Sequence, residues 1–335
     1  MSNAMAWLLE DDADNPGVRC FTLTELLGRP ASDPDVVAAR RAVMERGPVP
    51  AILAAQDPAG FWEQPGAGYN PKYRSTVWSV IYLAQLGADP ADPRVRAGGE
   101  YLLANAVAAT GAFSADRTPS SYIHCLGGNL GAALLDLGFG GDERLMRALE
   151  VMARYVTGEN VAPPGAKDAP LRYYAGTCGP GFRCGANDKL PCAWGAVKVL
   201  RALARVPEAW RTPAMRAALA ATVDFLFSVD PATASYPAGY SDKPSTSWFK
   251  FGFPLFYVTD VLQIAEALAE AGYGSDPRLA ATYDLILGKR DTESRWTMEY
   301  SYQGKTWADA EQKGKPSKWV TLRAMRVLKA RGIAA

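Results

Sequence analysis

The chain has 335 residues, 48% of them hydrophobic and 21% charged, a composition that builds a packed core and excludes an intrinsically disordered protein. Its 36 Lys and Arg nearly cancel 35 Asp and Glu to leave +1, with no basic stripe, so a nucleic-acid partner is not expected. No run approaches the ~20 uninterrupted apolar residues of a membrane span.

The N-terminus, "MSNAMAWLLEDDADN", is acidic and lacks the basic flank and apolar stretch of a secretory signal. A cytoplasmic location is therefore expected, where clustered cysteines serve as thiols or metal ligands rather than as a disulfide framework. "SNA" before Met5 reads as an expression-tag remnant, which sets residues 1–4 aside and leaves one domain over residues 5–335. From there four segments share one layout, an apolar helix, a short Gly- or Pro-bearing turn, and an amphipathic helix. Their turns read "LAQLGADPADPRV", "LLDLGFGGDERL", "LARVPEAWRTPAM" and "LAEAGYGSDPRL". Asp92, Asp142, Thr212 and Asp276 stand where a helix N-cap belongs, with Pro93, Pro213 and Pro277 at the first helical position. A cap oxygen satisfies free N–H groups, and Pro has none to satisfy.

The second helix of each pair is one-sided: Leu145, Leu149, Met152 and Val156 share a face, as do Met215, Leu219, Thr222 and Leu226. The first helices, "STVWSVIYLAQLG" (75–87) and "FPLFYVTDVLQIAEAL" (253–268), are apolar on nearly every side and are expected to be buried all round. Between the second and third pairs, "CGPGFRCGANDKLPC" (178–192) places three of the five cysteines just before the helical pattern 193–204. A final helix, "SKWVTLRAMRVLKARG", can pair with the segment from Asp33 to Gln56 and close a ring. Buried helices alternating with half-exposed ones predict an all-α fold, an α/α toroid of about six hairpins with inner and outer helix rings. The Gly-rich "GFGG" and "GAGYN" join no strand to a helix and fit loops and helix ends rather than a phosphate cradle.

"QDPAGFW" (Gln56 to Trp62) resembles the Gln-x-x-x-Gly-x-Trp signature of the prenyltransferase/squalene-oxidase repeat of terpenoid cyclases and protein prenyltransferase β subunits. "GAF" (111–113) and "DTESRW" (291–296) look like decayed copies. The resemblance implies an α/α toroid around an apolar, aromatic cavity that holds an isoprenoid in the family's enzymes. The family's catalytic motifs do not carry over. "DDAD" (11–14) is in the wrong order for the cyclase Asp-x-Asp-Asp, there is no Asp-x-Cys for a prenyltransferase zinc, and the one histidine, His124, comes early. "HC" (124–125) reverses the Cys-His order of lanthionine-synthetase-like toroids.

Three sets of residues carry candidate chemistry. Cys125 and Cys192 lie near the starts of successive inner helices, with Cys178 and Cys184 in the loop between them, so their sulfurs can meet at one rim with His124 close by. Thiolates with an imidazole suit tetrahedral zinc; a Cys178–Cys184 disulfide or redox pair and unrelated buried thiols are the alternatives. Cys192, following Pro191 at a helix start, is also a candidate nucleophile, because free N–H groups stabilise a thiolate. Trp78, Tyr82, Tyr122, Trp194, Trp248, Phe253, Tyr257 and Trp319 are candidate binding residues, since aromatic faces hold apolar or cationic ligands, plain core packing being the alternative. Asp260 is the candidate catalytic acid, because a carboxylate on a buried helix needs a partner or a function; Lys198 or Arg323 can neutralise it.

The expected function is therefore to bind or transform an apolar small molecule such as an isoprenoid in a central cavity, with a lyase or transferase activity left open. A non-catalytic interaction module on the same fold is one alternative. A carbohydrate-active toroid, pairing Asp260 with Asp188 or Asp242 as opposed carboxylates, is another. The sequence does not determine the oligomeric state.

Overall fold

A computed structural model describes residues 3–172 and 178–333. Among these are thirteen α-helices and two short antiparallel ribbons. In chain order they are α1 (Asn3–Leu8), α2 (Pro16–Phe21, continued by a π-helical turn, Thr22–Leu26), α3 (Pro34–Glu45), α4 (Pro48–Ala54), α5 (Thr76–Leu86), α6 (Pro93–Asn105), α7 (His124–Asp136) and α8 (Glu143–Thr157). There follow the ribbon β1 (Cys178–Gly179) and β2 (Arg183–Cys184), then α9 (Ala193–Arg205), α10 (Pro213–Leu226), α11 (Val261–Leu268) and α12 (Ala280–Gly288). The ribbon β3 (Trp296–Thr297) and β4 (Pro316–Ser317) leads into α13 (Lys318–Arg331). Residues 3 and 4 belong to the fold: α1 starts at Asn3, and Ala4 is buried.

The start chemistry read from sequence is present. Asp92, Asp142, Thr212 and Asp276 each cap the helix that follows, accepting a backbone N–H two or three residues on. Helices α5, α7, α9, α11 and α13 are buried on almost every side and pack in succession, α5 on α7, α7 on α9, α9 on α11 and α11 on α13. The one-sided helices α6, α8, α10 and α12 cover them. Helix α13 packs on α1, α2 and the π-helical turn, so its partners include the arm before the segment 33–56 that periodicity suggested. Asp12 ties that arm down, accepting backbone N–H groups from Asp14 and Asn15 and pairing with Lys318 at 3.1 Å.

Helix α7 lies close against α9, and glycine permits it. A Cβ on Gly128 would stand 2.4 Å from the Lys198 carbonyl carbon, and one on Gly195 would stand 3.0 Å from the His124 Cβ. The first space admits no side chain, and the second admits one only if His124 gives way.

One turn recurs at the end of several outer helices. In "QDPAGFW" the Asp57 N–H donates to Phe61 O (2.8 Å), the Gly60 N–H to Asp57 O (2.8 Å), and Gly60 takes φ +93°. The buried Trp62 donates its indole N–H to Ile52 O (2.7 Å) and its backbone N–H to the Thr76 hydroxyl at the start of α5 (3.0 Å). Around Trp296 the same bonds return: Asp291 N–H to Arg295 O (2.9 Å), indole N–H to Ile286 O (2.7 Å), and backbone N–H to the Thr321 hydroxyl of α13 (3.0 Å). Ser294, at φ +64°, stands where Gly60 stands in the first copy. "GAF" keeps the turn, with Ala108 N–H to Ala112 O (2.9 Å) and Gly111 at φ +92°. At Asp230, whose "DPA" matches residues 57–59, Tyr236 replaces the Trp and donates its hydroxyl to Leu226 O (2.7 Å). In three copies the aromatic side chain donates to a carbonyl ten residues earlier, each bond contributing about 1 kcal/mol net.

The run 253–268 is not one helix. Only Val261–Leu268 is helical; Asp260 is its N-cap, accepting the Gln263 N–H at 2.7 Å, and Phe251 to Thr259 are non-helical. Pro254 lacks the N–H a helix would use. This segment occupies the middle of the helix array. Arg323 of α13 donates to Gly252 O (2.7 Å), Gln85 of α5 both donates to and accepts from the Leu255 backbone (2.7 Å each), Asn129 of α7 donates to Phe256 O (3.1 Å), and Lys198 of α9 reaches Thr259 (2.8 Å). The middle of the helix array, where the resemblance implies a cavity, is therefore filled, with Phe253 stacked on Trp319 (centroids 4.3 Å apart, planes 2° apart) and Phe256 on the edges of Trp78 and Tyr82.

Candidate functional site

Two cavities flank this segment. One, of about 890 Å³, is lined by the C-terminal parts of α5, α7, α9, α11 and α13, including Gln85, Asp136, Arg205, Glu266 and Arg326. Its charges are largely paired: Arg205 with Asp136 (3.0 Å) and Glu270 (2.9 Å), Arg323 with Glu266 (2.7 Å), and Arg326 with Glu25. Phe253 and Leu255 close it from within.

The other, of about 840 Å³, lies at the opposite ends of the same helices. Cys125 at the start of α7, Ala193 and Trp194 at the start of α9, and Tyr69 and Tyr257 from the segments entering α5 and α11 all border it. Trp194, Trp248 and Tyr257 of the candidate binding set meet here, and Tyr236 and Tyr240 join them. Trp248 stands edge-on to Trp194 (6.2 Å) and tilted on Tyr236 (5.6 Å). Lys72 places its ammonium 5.7 Å from the Tyr69 ring and 5.8 Å from the Tyr257 ring. The buried Tyr257 hydroxyl neighbours that of Tyr69 without a well-formed hydrogen bond. Among the described residues no Asp or Glu lines this cavity; Lys72 and Lys243 are its charged groups.

The remaining aromatics of the set are elsewhere. Trp78 and Tyr82 are buried in α5, the Trp78 indole N–H donating to Tyr69 O at 2.7 Å. Tyr122 precedes α7 rather than lying in it and stacks on Tyr155 at 4.4 Å. Trp319 is buried and donates to Asn15 at 2.8 Å. Phe253 faces the charged cavity.

Asp260 lines neither cavity. It is 3% exposed, and both its oxygens are engaged: Arg323 spans them at 2.9 and 3.0 Å, while the N–H groups of Gln263 (2.7 Å) and Gly252 (3.2 Å) complete the shell. Arg323 also holds Glu266. The partner that neutralises Asp260 is thus Arg323; Lys198 instead donates to Thr259 and Gln263. Fully buried, Lys198 has its pKa pulled down to about 7 by desolvation.

The four thiols do assemble on the wall of the aromatic cavity. The ribbon sets Cys178 directly opposite Cys184; the Cys192 N–H donates to Phe182 O (2.9 Å), which brings the start of α9 against the ribbon. The sulfurs form a row, Cys178 beside Cys184, Cys184 beside Cys192, and Cys192 beside Cys125. Thiol donors from Cys178 and Cys192 favour the thiolate of Cys184 and lower its pKa. Cys192 occupies the N-cap position of α9 without a side-chain cap bond, and its pKa is raised, because its proton is held against Cys125 and Cys184.

His124 takes no part in the row. Its Nδ1 accepts from the Tyr122 hydroxyl (2.9 Å), and its Nε2 donates to Gly179 O (3.1 Å), so both ring nitrogens are used. Burial holds the ring neutral, with a pKa lowered to about 4. Among the described residues no group of three or more His, Cys, Asp or Glu is arranged to hold a metal ion. Of the residues expected to hold zinc, the four thiols of Cys125, Cys178, Cys184 and Cys192 stand beside one another on the cavity wall, while both ring nitrogens of His124 are engaged by Tyr122 and Gly179.

Tyr69, Lys72, Tyr236 and Tyr240 were not singled out from sequence. They sit in Gly- and Pro-rich loops, where periodicity is silent; the available signal was the "DPA" shared by residues 57–59 and 230–232, with Tyr236 following one residue later than Trp62 does. No helix is long and apolar enough to cross a membrane among the described residues. No protein-family model matches the chain, and no curated protein matches it.

Proposed function

We propose that this chain binds an apolar small molecule, of isoprenoid or comparable size and shape, in the aromatic cavity beside the thiol row. The scaffold is an α/α toroid of the terpenoid-cyclase and prenyltransferase kind. The observation that carries the reading is the cavity wall: Trp194, Trp248, Tyr236 and Tyr257 around about 840 Å³, with lysines as its charged groups. Such a wall takes up apolar surface, and Lys72 and Lys243 accommodate an anionic head group at its edge. The recurrent turn and the succession of five buried helices support the scaffold. Binding rather than acid catalysis is proposed, because the Asp260 oxygens are occupied by Arg323 and backbone N–H groups. The sugar-cleaving alternative loses its support, since no carboxylate among the described residues lines the aromatic cavity.

The test is a titration of the purified protein with farnesol and with farnesyl phosphate, read by tryptophan fluorescence. Saturable quenching is expected, and Trp248→Ala should weaken it at least about tenfold, the value of one buried aromatic contact. Absence of saturable binding, or a Trp248→Ala curve that overlays the parent's, refutes the reading. The filled middle of the helix array favours one second reading, a non-catalytic interaction module, which that negative result would leave in place.

A further inference from the structure

We propose that Cys178 and Cys184 are a redox couple, in which a hydroperoxide oxidises the Cys184 sulfur and Cys178 then closes a disulfide across the β1–β2 ribbon. The register is the first support. The two residues are directly opposed in an antiparallel pair, where facing Cα atoms stand about 4.5–5.5 Å apart, inside the ~4.4–6.8 Å that a disulfide spans. The register therefore puts the two Cα atoms within the span of a disulfide.

Access is the second. Cys184 is half-buried on the wall of the aromatic cavity, whereas Cys178 is 4% exposed. Both line the cavity, and Cys184 is the more exposed of the two to an oxidant that enters it. The third support is the set of donors around the Cys184 sulfur, the thiols of Cys178 and Cys192 and the backbone N–H of Ala186, which stabilise the attacking anion.

The chemistry balances in two steps. The Cys184 thiolate attacks one peroxide oxygen, the O–O bond breaks, and the alkoxide leaves as an alcohol after taking one proton; sulfur is oxidised by two electrons to the sulfenic acid. The Cys178 sulfur then attacks the Cys184 sulfur, the S–O bond breaks, and hydroxide leaves as water with the Cys178 proton. The product ties the ribbon on which the start of α9 rests. The couple does not depend on what the cavity binds, because its thiols are read in the ligand-free protein.

The test uses the full chain, reduced, freed of reductant, and exposed to an equimolar amount of tert-butyl hydroperoxide. Free thiols are counted and the cross-link is mapped by peptide mass spectrometry. Free thiols should fall from the five of the reduced chain to three, through a dithiothreitol-reversible Cys178–Cys184 link. Cys184→Ser should slow the loss at least about tenfold, as expected when the stabilised thiolate is removed. Cys178→Ser should leave Cys184 as a dimedone-reactive sulfenic acid, and Cys20→Ser should behave as the parent. A first link between Cys184 and Cys192 or between Cys125 and Cys192 overturns the proposal, as does parent-like oxidation of Cys184→Ser. Close to one equivalent of zinc or iron per chain, released only when these thiols are blocked, also overturns it in favour of a tetrathiolate metal site. Mapping on the unaltered chain keeps the test decisive if a variant fails to fold.

Discussion

Arg323→Met is expected to destabilise the protein by about 3–5 kcal/mol at neutral pH, the cost of leaving a buried charge unpaired. The guanidinium is 2% exposed and donates to Asp260 at 2.9 and 3.0 Å, to Glu266 at 2.7 and 3.0 Å, and to Gly252 O at 2.7 Å. Methionine fills much of the same volume, so the loss is electrostatic: two carboxylates, 3% and 6% exposed, remain without their cation. Without Arg323, burial of Glu266 is opposed only by the more distant Arg201 and Arg326, so its folded-state pKa rises above that in the parent. The folded variant then binds protons more readily than the folded parent, so its deficit is largest at neutral pH and shrinks as the pH falls. Asp260→Asn should cost less, about 1–2 kcal/mol, because Asn keeps the N-cap of α11 and one acceptor for Arg323. Urea unfolding followed by circular dichroism, compared at constant m-value near pH 7.5 and pH 5, measures both variants. An Arg323→Met protein within about 1 kcal/mol of the parent, or a deficit that grows on acidification, would show that the triad is not what anchors the central segment.

Two further predictions follow from the same packing. Burial lowers the His124 pKa from 6.5 to about 4, so between those values the unfolded chain takes up a proton that the fold refuses. The stability it confers is complete above pH 6.5 and is lost as the pH falls toward 4, to a total of roughly 3 kcal/mol; urea midpoints for the parent and His124→Gln across that window check this, and parallel curves refute it. Gly128→Ala should cost about 3 kcal/mol or more, since its Cβ would stand 2.4 Å from the Lys198 backbone. Gly127→Ala, whose Cβ would meet nothing nearer than Met152 Sδ at 3.4 Å, should be neutral or slightly stabilising through helix propensity; thermal unfolding separates the two.

The parts of this fold legible in the sequence are those set by local chemistry. Asp92, Asp142, Thr212 and Asp276 announce helix starts because an N-cap needs only its own next turn. The outer helices were legible from Leu145, Leu149 and Met152 because one dry face imposes a period. The run from Phe253 to Leu268 misled because an apolar stretch buried on all sides carries no period, and extended and helical backbone read alike there. Asp260 stood out correctly as a buried charge, but its partner lies 63 residues further on in α13, beyond any local pattern. The thiols were expected at one rim from helix order alone, and they meet there. Which thiol neighbours which depends on the register of a four-residue ribbon that no periodicity encodes.

The segment from Phe253 to Tyr257 turns what could have been one tunnel into two chambers back to back. Phe253 and Leu255 furnish the charged chamber and Tyr257 the aromatic one, so the dividing wall is five residues of chain rather than a layer of helix. The volumes of the two chambers are therefore not independent: a larger side chain on this wall takes room from one side, and a smaller one returns it. A protein built this way can be retuned toward larger or smaller guests by exchanging residues of one short segment, leaving the surrounding helices where they are.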